Sequence, residues 1–184
     1  MFQIFQKMSK NNEPLILLDA DVLRHFNSGE KLLFLPKIFP HRFVILDKVK
    51  NEICRSKNLQ IPIENFLKTA KIPIESFPKD SNIIKEYARL KRTFGEGESA
   101  CMAVAKFQKK YIASSNLRDI EVYCKENQII YFTTLDLLLV SYQKKIMTLE
   151  ECDYFIYLVK TKNHKLPHNI NSIEDLPNFI KNIE

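Results

Sequence analysis

Leu15-Ile16-Leu17-Leu18-Asp19-Ala20-Asp21-Val22-Leu23-Arg24-His25-Phe26 decides how the chain is read. Four consecutive apolar residues are too few for a helix and suit a short strand buried on both faces. Asp21 to Phe26 then reads as a helix that closes near Ser28-Gly29. The same alternation runs outward from this point. A helical stretch from Lys31 to Ile38 ends at Pro40. Arg42-Phe43-Val44-Ile45-Leu46 is a second strand, with Asp47 as N-cap of a helix carrying Val49, Ile53 and Cys54. Ile72 to Phe77 is a weaker strand, and Pro73 suits an edge position. Ile83 to Leu90 is an amphipathic helix, and Ser99 to Phe107, rich in Ala, is a tightly packed one. Tyr111–Ser114 and Ile129–Phe132 are strands on either side of a helix over Leu117–Glu126, and Leu135–Lys144 and Leu149–Lys160 are helices. Strand and helix in turn predict an α/β fold, a three-layer α/β/α sandwich on a mainly parallel sheet. Residues 1–14 read as an extension, 15–162 as the domain and 163–184 as a tail packing on it.

Composition narrows the function. Hydrophobic residues make up 45% of the 184, which suits one globular domain. Three glycines leave no Gly-rich phosphate loop, and a formal charge of +6 suits a polyanionic partner. Cys54, Cys101, Cys124 and Cys152 lie far apart with no C-x-x-C pair, which reads as free thiols in a reducing compartment, the cytoplasm. No apolar run has the length of a membrane span, and Met1–Met8 is too short and polar for a signal peptide.

In parallel sheets, sites form where strands end and helices begin, so acids at those points are the candidates. Asp19 follows the first strand and Asp21 opens its helix. Glu52 lies at the margin of the buried stripe of the next helix. Glu98 follows Gly97, read as a sharp turn into the Ala-rich helix, and falls in its first turn. Asn116 and Asp119 stand three apart after the strand at 111–114 and share a side of the helix start. Each acid alone can be a helix cap or first-turn charge. Together, four such segments bring oxygen ligands to one end of one sheet, and clustered carboxylates repel unless a cation neutralises them. The hard oxygen set suits Mg²⁺ or Mn²⁺.

The order Leu18-Asp19-Ala20-Asp21-Val22-Leu23, Val49-Lys50-Asn51-Glu52-Ile53, Gly95-Glu96-Gly97-Glu98-Ser99-Ala100 and Ala113-Ser114-Ser115-Asn116-Leu117-Arg118-Asp119 resembles the PIN domain over about residues 15 to 160. The resemblance implies a PIN-like fold and metal-dependent endoribonuclease activity on single-stranded or structured RNA. Asp19, Glu52, Glu98 and Asp119 would be catalytic, and Asp19, Glu98, Asn116 and Asp119 would hold the metal, with Asp21 and Arg118 as additional participants. It also implies a toxin with an antitoxin partner, and a homodimer. Asn116 stands where the family usually has Asp, which keeps open a weakened, RNA- or protein-binding module. Asp19-Ala20-Asp21-Val22 is also similar to the opening motif of haloacid-dehalogenase-type phosphatases, with Asp19 as nucleophile and Asp21 as acid.

Lys85, Arg89 and Arg92 share a helix face that could meet RNA phosphates or only water. Tyr87, Phe94 and Tyr123 are candidates for stacking on bases or for core packing. His164 and His168 are a weak zinc pair broken by Pro167, and His25 and His41 read as isolated packing or surface residues.

Overall fold

The computed structural model describes residues 13–180, except for the side chains of residues 117–119. The described residues form β1 (Ile16–Leu18), α1 (Ala20–Ser28), a 3-10 turn (Leu32–Phe34), α2 (Leu35–Ile38), β2 (Phe43–Leu46), α3 (Asp47–Cys54), α4 (Lys57–Ala70) and β3 (Ile74–Glu75). They continue with α5 (Ser81–Leu90), α6 (Glu96–Gln108), β4 (Tyr111–Ala113), α7 (Leu117–Glu126), β5 (Tyr131–Phe132), α8 (Thr134–Gln143), α9 (Leu149–Thr161) and a 3-10 turn (Ile173–Asp175). The sheet order is β3-β2-β1-β4-β5 and every pairing is parallel. Helices layer onto it as an α/β/α sandwich.

β1 is buried along its whole length because it is the central strand, flanked by β2 and β4. Its register sets Ile16 against Tyr111, Leu17 against Ile112 and Leu18 against Ala113. One residue further on, Asp19 must therefore lie beside Ser114. The chain moves from β1 outward to β2 and β3, then returns across β1 to β4 and β5. This reversal is the topological switch point, where open α/β sheets bind ligands beyond the strand ends.

α6 lies against β1, β2 and β4 beneath α5 and α3. Being enclosed on all sides, it carries Ala100, Ala103 and Ala105, whose small side chains allow close approach, and it is apolar around its circumference. α1, α8 and α9 pack together in the other layer. The segment after α9 is pinned to the domain, with Ser172 Oγ donating to Asp153 at 2.9 Å and Phe179 stacked on Tyr142.

Some local details differ from the sequence reading. The Lys31–Ile38 stretch is a 3-10 turn followed by one short helix, because Pro36 sits in the first turn of α2 and lacks an N–H. Asp47 is inside α3 rather than its cap; its carboxylate accepts from Phe77 N at 3.1 Å and ties β3's exit to the helix. α4 is a helix not foreseen from the sequence, its stripe of Ile63, Phe66 and Leu67 disguised by Pro62 in its interior. The four cysteines are free thiols. No helix among the described residues is long and apolar enough to cross a membrane.

Gly29 ends α1 with an ordinary negative φ of −78°, so its role is spatial. A Cβ there would lie 2.2 Å from Cδ2 of Phe155, a fully buried ring packed on Phe26. Gly29→Ala is expected to cost about 1–3 kcal/mol by overpacking, read as a lower urea midpoint at unchanged slope; an unaltered midpoint would refute this contact.

Candidate functional site

The strand ends converge on a cavity of about 230 Å³ lined by Asp19, Asp21, Arg24, Glu52, Glu98 and Asn116, with Ala20 and residues 93–95 completing its wall. Six residues singled out in the sequence, Phe94 among them, thus face one space. The side chains of Asp119 and Arg118 lie outside the described residues.

Asp19 is 5% exposed and caps α1. Its Oδ1 accepts from Ala20 N at 2.7 Å, and its Oδ2 accepts from Ser114 Oγ at 2.9 Å, the contact that the β1–β4 register dictates. Asp21 accepts from Val22 N at 2.7 Å and from Ser115 N at 2.8 Å. The β4–α7 loop therefore donates to both acids, through a hydroxyl to one and through backbone to the other. Capping and clustering are not alternatives here; the same carboxylates do both.

Glu52 reaches from α3 across to the start of α6. Its Oε2 accepts from Gly97 N at 2.8 Å, satisfying one of the N–H groups that a helix start leaves open, and Arg24 Nη2 stands 3.5 Å from Oε1. This corrects the role expected of Gly97. None of the described glycines has a positive φ, so no special turn is required; what matters is volume. A Cβ on Gly97 would stand 2.9 Å from Glu52 Oε2 and 3.2 Å from Val49 Cγ2. Glu98 follows in the first turn of α6, 7% exposed. Asn116 is exposed and makes no side-chain cap bond to α7.

These acids are held against their preference. Burial, then the charge of Asp21, pushes Asp19 up to about 8, against the partial relief of its bonds to Ala20 and Ser114; Glu52 adds further repulsion. Burial likewise raises Asp21, opposed by the N–H groups of Ser115 and Val22. Among the described residues, no three His, Cys, Asp or Glu side chains stand close enough together to hold a metal ion. The oxygens of Asp19, Asp21 and Glu52 are instead directed at protein donors.

Several participants had no signal in the sequence. Ser114 was legible only as the end of a strand, and Arg24 only as a helix residue. Behind the loop runs a buried hydroxyl–imidazole chain: Ser115 Oγ stands 2.6 Å from Thr134 Oγ1, which is 2.8 Å from His25 Nδ1. His25 is not isolated. Its ring meets that of His164 edge-on at 5.5 Å, and His164 Nε2 stands 2.8 Å from Ser28 Oγ. Burial, with the neighbouring His164 and Arg24, lowers His25 to about 4.

The basic residues also sort differently. Arg89 is occupied by Glu86, with Nη2 to Oε1 at 2.9 Å, so the Lys85–Arg89–Arg92 face is not a unit. Cations gather instead on Glu96 beside the cavity: Arg55 at 2.9 Å, Lys48 at 3.5 Å and Lys91 at 3.9 Å. Tyr87 and Tyr123 donate their hydroxyls to Glu96 and Glu86 at 3.3 and 2.9 Å, and their rings are packed. Phe94 alone of the three aromatic candidates lines the cavity.

No family model and no curated protein matches the chain. The resemblance to PIN domains therefore rests on the quoted residues alone. For the phosphatase likeness, Gly95–Glu98 opens a helix that follows another helix, α5, and no strand precedes it to present a late acidic pair.

The elevated Asp19 has a consequence for stability. The folded state keeps a proton that the unfolded carboxyl, with an ordinary value of 3.8, releases, so unfolding becomes easier as pH climbs from 3.8 toward about 8. In chelator, the wild type should therefore lose stability relative to Asp19→Asn across that range and level off above it. The opposing gain from His25 between about 4 and 6.5 is common to both proteins and cancels. Unfolding free energies measured against pH for the pair check this; parallel curves would refute the repulsion.

Proposed function

We propose that the protein is a divalent-metal-dependent ribonuclease of the PIN type. The observation that carries the reading is that Asp19, Glu52 and Glu98, remote in the chain, line one cavity with Asp21 and Asn116 at the switch point of the sheet. Asp19 and Glu52 each satisfy a helix-start N–H, but that role does not require three carboxylates to share one cavity. Burying a charge costs several kcal/mol unless it is compensated, and Asp19 is raised because its compensation is incomplete.

The donor set fits a hydrated hard cation, which keeps several waters and needs only one or two direct carboxylates. Asp19, with Asp21, Glu98 and Asn116 around it, would hold Mg²⁺ or Mn²⁺. When bound, such an ion lowers the pKa of a water and stabilises charge on a phosphoryl oxygen. The chain itself does the rest. Ser114 Oγ and the N–H of Ser115 hold the two aspartates at the wall of the cavity. Glu52, braced by Gly97 N, adds negative potential that a cation would relieve. Arg24, at the wall, and the cluster of Lys48, Arg55 and Lys91 beside it supply positive charge for a phosphate backbone.

A second reading, a PIN-like binding module with little or no activity, is favoured by one observation: Glu52 already spends both oxygens on protein partners, and Asn116 brings no charge. Calorimetric titration with Mn²⁺ separates the two, since binding at millimolar concentration or below is required by the first.

With Mn²⁺ and single-stranded RNA, Asp19→Asn should reduce cleavage by more than about 100-fold, beyond the roughly 10–100-fold typical of an outer-sphere partner, while its circular dichroism stays that of the wild type. Retention of full metal-dependent cleavage by a folded Asp19→Asn protein would overturn the assignment of Asp19 to the site, and a wild type that cleaves no RNA in Mn²⁺ would end the nuclease reading.

A further inference from the structure

A second cavity, of about 260 Å³, opens on the other side of the β4–α7 loop. Asn116 lines both spaces. Ser115 faces this second cavity while its backbone N–H holds Asp21 of the first. The walls are Leu135, from the first turn of α8, and Leu166 and Pro167, from the segment after α9; Lys165 stands at the exposed edge. The space is therefore an apolar slot with a polar lip toward the carboxylates and one cation.

The slot is built, not incidental. The segment carrying Lys165–Pro167 is anchored before it by His164 on Ser28 at 2.8 Å, and a local turn follows it, with Ile170 N on Pro167 O at 3.2 Å. Lys160 Nζ adds a bond to His168 O at 3.2 Å. On the opposite wall, Ser115 Oγ accepts from Thr134 N at 2.8 Å and fixes the loop to the start of α8. Its volume falls just below the roughly 300–1,000 Å³ of pockets for drug-sized ligands, so one flat group fits and a large cofactor does not.

We infer that this slot takes one unpaired base of the RNA strand whose phosphate backbone lies in the acidic cavity. The inference rests on the nuclease reading for its occupant. An apolar slot with a hydrogen-bonding lip suits a base, which has apolar faces and polar edges. Lys165 suits the adjoining phosphate. Because the slot and the carboxylates share a wall, a strand filling both must turn a base away from its neighbours. A base engaged in a duplex cannot make that turn without unpairing and unstacking. The slot thus restricts the substrate to single strands or loops, and makes Leu135, Leu166 and Pro167 its selectivity wall.

The test measures binding by fluorescence anisotropy in Ca²⁺, a hard cation that suits the same oxygen ligands, over a time in which gels show the probes intact, and then cleavage in Mn²⁺. The probes are a short single-stranded RNA, its duplex, and a strand of equal length and charge lacking bases. The wild type should bind the intact single strand roughly tenfold more tightly than the abasic one, the size of one well-made base contact. Leu135→Arg should lose that difference, although its added charge favours backbone binding. Pro167→Arg, at an exposed position, should do the same while keeping the wild-type melting temperature, which guards against a Leu135 variant that merely unfolds. Equal affinity of the wild type for intact and abasic strands, or for single strand and duplex, overturns the inference. So does base discrimination unchanged in Pro167→Arg. A wild type that cleaves RNA but shows none of this discrimination leaves the nuclease reading and removes the slot. One that discriminates bases but never cleaves in Mn²⁺ does the reverse.

Discussion

The pairing of β1 with β4 is the constraint on which the rest of the molecule depends. Once Leu18 lies against Ala113, Asp19 has to emerge beside Ser114, and the two chain segments leave the sheet side by side. Parallel pairing makes this possible because all strands finish at the same edge. The reversal of strand order at β1 then opens a gap between the helices that follow β1 and β4. One set of polar contacts of the candidate site is hung on that edge: Asp19 and Asp21 after β1, Ser114 to Asn116 after β4, and Thr134 after β5.

α6 complements this edge from above. Its alanines let it settle onto three strands at once, and its first turn brings Glu98 to the rim. The same turn exposes N–H groups that need acceptors, and Glu52 of α3 meets one of them. The acids are thus tied into the fold by the ordinary requirements of helix starts, while their mutual repulsion leaves Asp19 short of full compensation. Helix capping and the crowding of carboxylates are consequences of one arrangement.

Much of this was legible in the residues. The strand at 15–18 and the acids directly after it could be read because a doubly buried strand is a plain apolar run, and a strand end is a fixed landmark. Leu117–Glu126 came out with its observed limits because its acids, cations and apolar residues alternate at helical spacing. Glu52 could be placed at the margin of a buried stripe but not aimed, since its direction depends on the position of α6. Ser114, Thr134 and the meeting of His25 with His164 were hidden for the same reason: they are contacts between elements distant in sequence, and side chains as common as Ser and Thr give no local sign of them. Pro62 concealed α4 because proline is ordinarily excluded from a helix interior. Gly97 was misread as a conformational device when it is a steric one.

The fit between Gly97 and Glu52 links two positions that lie in different helices. A side chain at 97 would press on the end of Glu52 at 2.9 Å and on Val49 Cγ2 and Cα at 3.2 and 3.3 Å, so it would displace the carboxylate from its bond to Gly97 N. Related chains should vary at these two places in concert: where 97 gains a methyl group, 52 should shorten to Asp or surrender its acid. The pair is thus a covariance signature by which distant relatives of this fold could be recognised even when the surrounding sequence has diverged.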